Sequence, residues 1–221
     1  MKKLLALWCL MLTVPLSQAQ NTYTLDQVFS KMDEVAKTFR SSQADLERTH
    51  VTVIVNDKDV ASGKFYYARK GKDPRVKMEL LKPIAQSALV DKGKVQLYTP
   101  SLKQVQEASL GEHKDALEMF MALAFGTSSE DIKKNFTATL GGEESIDGQK
   151  TTILDLKPKN SGIKSVRMWM DQKRWVAVQI KVTEGSDDYF ILKYSNIKLN
   201  ANIPDSVFQI KLPKDVRVLK M

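Results

Sequence analysis

The chain has 221 residues, with 34 Lys and Arg against 26 Asp and Glu, for a formal charge of +8. Hydrophobic residues at 43% and charged residues at 27% form an ordinary globular mixture, which excludes a disordered or collagen-like chain and suffices for a buried core. One cysteine and two histidines exclude a disulfide framework or a thiolate metal cluster and leave little for a histidine-based site.

Residues 1–19 have the three parts of a secretory leader. Lys2 and Lys3 form a basic start, Leu4 to Val14 an apolar stretch too short to span a bilayer, and Ser17-Gln18-Ala19 a small-x-small cleavage site. Bulky Trp8 before Cys9 does not fit a lipoprotein acylation site. Residues 20–221 are therefore expected to form one exported, cysteine-free domain of charge +6, with no second apolar stretch of membrane-spanning length.

Thr24-Leu25-Asp26-Gln27 has the form of a helix capping box, with Tyr23 placed as a hydrophobic staple. Leu25, Val28, Phe29, Met32, Val35, Ala36 and Phe39 follow at the spacing of one apolar helix face. A β region comes next. Ala44 to Val55 reads as a strand, Asn56 to Asp59 as a polar turn, and Ser62 to Lys70 as the returning strand. Arg75 to Leu80 alternates charged with apolar, Gln86 to Asp91 and Lys94 to Thr99 flank a turn, and Lys103 to Ala108 reads as a short strand. Glu112 to Phe125 places Leu117, Phe120, Met121, Ala124 and Phe125 on one helix face, and Ser128 or Ser129 caps a short helix to Asn135. After Gly141-Gly142 the strands resume at Thr151–Lys157, Gly162–Asp171, Arg174–Thr183 and Tyr189–Lys198, with a last pair near Val207–Lys211 and Val216–Leu219.

Alternation assigns the faces. Val166, Met168 and Met170 oppose Arg167, Trp169 and Asp171, and Val176, Val178, Ile180 and Val182 oppose Ala177, Gln179 and Lys181. The pattern predicts a mainly β (α+β) fold: an incomplete antiparallel barrel of about ten to eleven strands, apolar inside and solvated outside, its mouth plugged by helices. Such a barrel has room for an apolar ligand.

Chemistry-bearing motifs are lacking: no nucleophile elbow, P-loop, zinc-protease motif or dinucleotide fingerprint is present. Neither an enzyme nor a cofactor or metal site is indicated. The lysines are spread over nearly every strand and turn, which argues against nucleic acid. The densest basic run, Arg69 to Lys77, reads as a solvated hairpin tip or as a docking patch for an acidic partner. Gly63, Phe65, Tyr67 and Arg69 share a strand face, so Arg69 either turns to water or bonds the carbonyls of a covering helix from the rim of the concave face.

Gly63-x-Phe65-x-x-x-Arg69 followed by Arg75-Val76-x-Met78 resembles a strand pair of the LolA-type periplasmic lipoprotein carriers. The run Val90-Asp91-x-Gly93-Lys94-x-x-x-Tyr98, then Lys103-Gln104-Val105, and the ending Tyr194-Ser195-Asn196-Ile197-Lys198-x-Asn200 with Ile203-Pro204, Phe208 and Pro213 resemble the same family in order and spacing. It departs at Lys70, where the family has proline after the arginine. The resemblance implies an incomplete barrel with a helical lid over an apolar cavity that receives the acyl chains of outer-membrane lipoproteins. It implies a monomeric shuttle between an inner-membrane lipoprotein-releasing ABC transporter and an outer-membrane acceptor. A lipid- or lipoprotein-binding sensor of the same fold is the alternative. By position Arg69 matches the lid-holding arginine. Alternation and helix face nominate Phe65, Tyr67, Val76, Met78, Leu80, Leu117, Phe120, Met121, Met168 and Met170 as cavity residues.

Overall fold

In the computed structural model, residues 22–70, 73–109, 123, 125–159 and 162–220 are described. The leader and the expected lid residues Leu117, Phe120 and Met121 lie outside them.

Helix α1 (Leu25–Thr38) starts where its capping box places it: the Gln27 N–H donates to Thr24 Oγ1, and the Thr24 N–H donates to Gln27 Oε1. Its apolar face buries Val28, Phe29 and Met32. Tyr23, expected as a staple, meets the edge of the Trp175 ring, 4.9 Å between centroids. A second short helix, α2 (Ser129–Asn135), begins at a capping box between Ser128 and Asp131.

Twelve strands make one open sheet among the described residues, in the order β12-β6-β5-β4-β3-β2-β1-β11-β10-β9-β8-β7. They are β1 (Ser41–Thr52), β2 (Asp57–Lys70), β3 (Asp73–Lys82), β4 (Gln86–Asp91), β5 (Lys94–Thr99), β6 (Gln104–Ser109), β7 (Phe136–Ile146), β8 (Gln149–Pro158), β9 (Ile163–Asp171), β10 (Ala177–Glu184), β11 (Tyr189–Leu199) and β12 (Arg217–Lys220). Every neighbouring pair is antiparallel except β12 with β6, which is parallel. The two ends of the order do not pair, so the expected incomplete barrel is an open sheet wrapped around one apolar cluster.

Several local expectations are not met. The sequence suggests a break at Gly141-Gly142, but β7 runs through it: a bulge absorbs Gly141, with Gly142 beside it at φ +100°, and the true turn is Asp147-Gly148 with both residues at positive φ. On β10 a register shift between Ala177 and Gln179 inverts the alternation, so Val176, Ala177, Ile180 and Val182 face the main core while Val178 faces outward. Trp169 and Asp171 are buried despite lying opposite Met168 and Met170. Trp169 packs with Ile153 and Val178 in a second small cluster, and its indole N–H donates to Glu144 Oε2 at 2.7 Å. Finally, Val207–Lys211 is not a strand; a 3-10 turn (Asp205–Phe208) occupies it.

That turn belongs to a strap, residues 200–216, that leaves β11, crosses the outer face and delivers β12 to the far edge beyond β6. Its start is fixed by the Asn200 N–H to the Ser41 carbonyl and by Ser41 Oγ to the Ala201 carbonyl. Its middle is gripped by Arg75 and Lys77. Arg75 donates to Asp91 Oδ1 at 2.9 Å and Asp205 Oδ1 at 2.6 Å and stacks 4.4 Å from the Phe208 ring centroid. Lys77 donates to the Gln209 carbonyl and pairs with Glu79. Arg75 and Lys77 are buried, so this part of the basic run is neither a solvated tip nor a docking patch.

Candidate functional site

The concave face is built by strand alternation. β2 turns Phe65 and Tyr67 inward, β3 turns Val76, Met78 and Leu80, and β9 turns Met168 and Met170. Pairing sets Phe65 beside Met78 and Tyr67 beside Val76. All are buried except Met78, which is half-buried, and all belong to one cluster with Val28, Phe29 and Met32 of α1. Gly63 lets β2 and β3 approach closely: a Cβ there would lie 1.7 Å from the Glu79 carbonyl oxygen.

Three aromatic residues outside the expected set complete this face. Phe39, the residue ending α1, lies 5.2 Å from the Tyr67 ring. Tyr194 on β11 stands edge-on to Phe65 at 5.4 Å, and period-two alternation with buried Leu192 points to it. Burial pushes the Tyr194 hydroxyl well above the ordinary phenol range. Phe125, expected as the last residue of the Glu112–Phe125 helix, sits 4.8 Å from Tyr194 and 5.5 Å from Phe65. With Leu123 it is buried in the main apolar cluster. Directly after it, Gly126 has φ +68°, and a Cβ would run into the Phe39 ring.

Above these rings lies the mouth. A recess of about 510 Å3 is bounded by Asp33 and Lys37 of α1, Arg69, Gly126, Ser129 and Asp131. The Asp33 carboxylate ties the two helices, accepting from the Ser129 N–H and Oγ, both at 2.7 Å. Arg69 is exposed at the rim, and its Nε donates to the Tyr67 hydroxyl at 2.9 Å. Its backbone N–H donates to the Arg40 carbonyl. Among the described residues, the arginine that bonds helix carbonyls is Arg40, through Lys37 and Phe39 at the end of α1. No signal at Arg40 marks this role beyond its place just after an apolar helix face.

No group of three or more His, Cys, Asp or Glu that could hold a metal ion occurs among the described residues. Nor is any described helix long and apolar enough to cross a membrane.

An open antiparallel sheet whose apolar inner face is covered by separate helical segments defines a binding or carrier architecture, with its conspicuous chemistry in apolar contacts. The family model of the outer membrane lipoprotein carrier protein LolA matches residues 37–211, and the chain belongs to that family. It is similar to an outer-membrane lipoprotein carrier protein of Dechloromonas aromatica, 24% identical over 86% of each chain. It is also 23% identical to an uncharacterized protein of Methanocaldococcus jannaschii over 88% of this chain, and it spans 53% of that relative's length. Among solved structures, an uncharacterized conserved protein of Thermus thermophilus aligns with a TM-score of 0.57 at 13% identity, covering 89% of this chain and 98% of that one.

Proposed function

We propose that this protein is a periplasmic carrier that takes the acyl chains of outer-membrane lipoproteins onto its concave face and shuttles them to the outer membrane. The donor is an inner-membrane lipoprotein-releasing ABC transporter and the recipient an outer-membrane acceptor; the carrier works as a monomer, without covalent chemistry. Residues 1–19 serve as the export leader and 20–221 as the carrier domain.

The observation that carries this reading is the Phe125 ring packed against both Phe65 and Tyr194 from a segment that is not part of the sheet. Withdrawing that segment would uncover an aromatic and methionine-lined face without breaking a strand pair. Acyl chains gain roughly 0.8 kcal/mol per buried CH2, enough for such a face to hold an otherwise insoluble anchor. Phe65, Tyr67, Val76, Met78, Leu80, Met168 and Met170 would line it together with Leu117, Phe120 and Met121. Arg69 would hold the cover closed from the rim through a contact of a few kcal/mol at most.

Mass spectrometry of protein purified from the periplasm tests the cargo: an acylated polypeptide is expected, whereas free phospholipid would favour the lipid-sensing alternative. Arg69→Leu tests the latch. Because Arg69 is exposed, the melting temperature should stay near that of the parent while lipoprotein transfer falls at least about tenfold, about 1.4 kcal/mol. Unaltered transfer would remove Arg69 from the mechanism.

A further inference from the structure

The β1–β2 hairpin turns in an unexpected place. β-Branched residues favour strands, yet Val53, Ile54 and Val55 form the turn itself, and of the polar residues expected to turn, Asn56 to Asp59, Asn56 does so while Asp57 to Asp59 lie in β2. Thr52 pairs with Asp57, Asn56 takes φ +51°, and its N–H closes onto the Val53 carbonyl at 3.2 Å. Val53 is 46% exposed, Ile54 85% and Val55 68%. Nothing in the fold gains from three apolar side chains here, and a local rule broken without benefit to packing marks a functional position.

The same rim carries more of the kind. The β3–β4 turn follows Lys82, which pairs with Ser62, and the β5–β6 turn lies beyond it in strand order. Ile84 in the first and Leu102 in the second are 59% and 67% exposed. We infer that this rim, led by Ile54 and Val55, inserts its apolar tips into the surface of a phospholipid bilayer with anionic headgroups.

Three observations select a bilayer. The apolar groups are separate projecting turns rather than a groove, so they match a yielding surface better than a peptide or helix. The tip can enter an apolar layer without stranding its end groups, because the Val53 N–H donates to Asp188 Oδ1 at 2.8 Å and the Asn56 N–H is bonded within the turn. Lys58 and Lys82 flank the tips in exposed positions, and the chain as a whole is basic, which complements anionic headgroups. Of the neighbouring acids, Asp59 is paired with Arg48, Asp187 with Lys164 and Asp188 with the tip backbone, leaving Asp57 beside Lys58 and Glu184 at the end of β10.

The test uses vesicles of phosphatidylethanolamine and phosphatidylglycerol and contains no lipoprotein, so its outcome is separate from the carrier reading. In residues 20–221, which contain no cysteine, Ile54→Cys and, at the opposite end of the sheet, Lys94→Cys are labelled with a polarity-sensitive fluorophore. Vesicles should shift the emission of the label at 54 to the blue and leave the label at 94 unchanged. Ile54→Asp with Val55→Asp should weaken vesicle binding at least about tenfold, with an unaltered melting temperature because both side chains are exposed. No shift at 54, equal shifts at both positions, or a shift produced only by added protein would each overturn the inference.

Discussion

Phe125→Ala separates a plug from an ordinary core residue. Phe125 is 4% exposed and meets both Phe65 and Tyr194, so the substitution removes a fully packed ring. Phe→Ala at such sites costs about 3–5 kcal/mol, of which each ring pair supplies roughly 0.5–1.5. At about 2–4 °C per kcal/mol for a domain of this size, thermal melting should fall by roughly 6–20 °C. The space left behind is apolar and lies under the mouth. A medium-chain fatty acid should refill it, four methylenes recovering roughly 3 kcal/mol. Dodecanoate at about 100 times its Kd should then restore approximately 2.7 kcal/mol to the variant. Thermal melts with and without dodecanoate, together with a fluorescent-lipid displacement titration, read both effects. A variant that melts early, gains no ligand affinity and is not rescued would show Phe125 to be plain core and refute the plug.

The remaining predictions concern the frame around that face. Arg75→Ala breaks a buried cation from Asp91, Asp205 and the Phe208 ring and should destabilise by about 3–5 kcal/mol; urea unfolding measures it, and a loss below about 1 kcal/mol would mean that the strap does not depend on this grip. Gly63→Ala forces a methyl against the Glu79 carbonyl, so β2 and β3 must part, with an expected loss of roughly 2–3 kcal/mol in the same assay. Tyr194 favours its neutral form in the folded state, so the unfolded chain releases this proton first. Stability should therefore fall as pH rises above about 10, by up to roughly 1.4 kcal/mol per unit, and Tyr194→Phe should remove that part of the slope.

How far the sequence was legible depended on whether local signals agreed with long-range pairing. The capping boxes at Thr24 and Ser128 are short-range, and both helices begin where the sequence places them. Alternation names the inner face at Val166, Met168 and Met170, but not that Trp169 on the other face is buried in a cluster of its own. Failures sit where a bulge or a distant partner overrides the local pattern. Gly141-Gly142 suggested a turn because a bulge with φ +100° beside it needs the same residue type as a turn. Val178 changed sides through one register slip at Ala177. Val207 to Lys211 has strand-like residues but is held by Arg75 and Lys77, more than 120 positions away, which no window of sequence can show. In the candidate site, Phe65 and Tyr67 were reachable by period two. Phe39, Tyr194 and Phe125 required knowing which elements meet.

The outer face is not simply solvated, and the reason bears on how an open sheet could change its contents. A sheet that does not close owes its curvature to whatever packs on its two faces. If the inner face exchanged a protein segment for a ligand, curvature dependent on the inner face alone would change with it. Here each half of the sheet has support on the outside. Across β1 to β6 runs the strap, fixed at Ser41 and gripped at Arg75 and Lys77, before it ends as β12 on the edge. Across β7 to β11, Trp169 packs with Ile153 and Val178, and Ile146 and Ile197 lie against them. These braces make no use of Phe125 or α1. An order of loss follows from these braces: Phe125→Ala should leave the amides of β3 and β9 protected from hydrogen exchange, whereas Arg75→Ala should expose those of β3 and β12 while sparing β9. Equal loss of protection in β3 and β9 for Phe125→Ala would mean that the inner packing, not the outer, holds the sheet's shape.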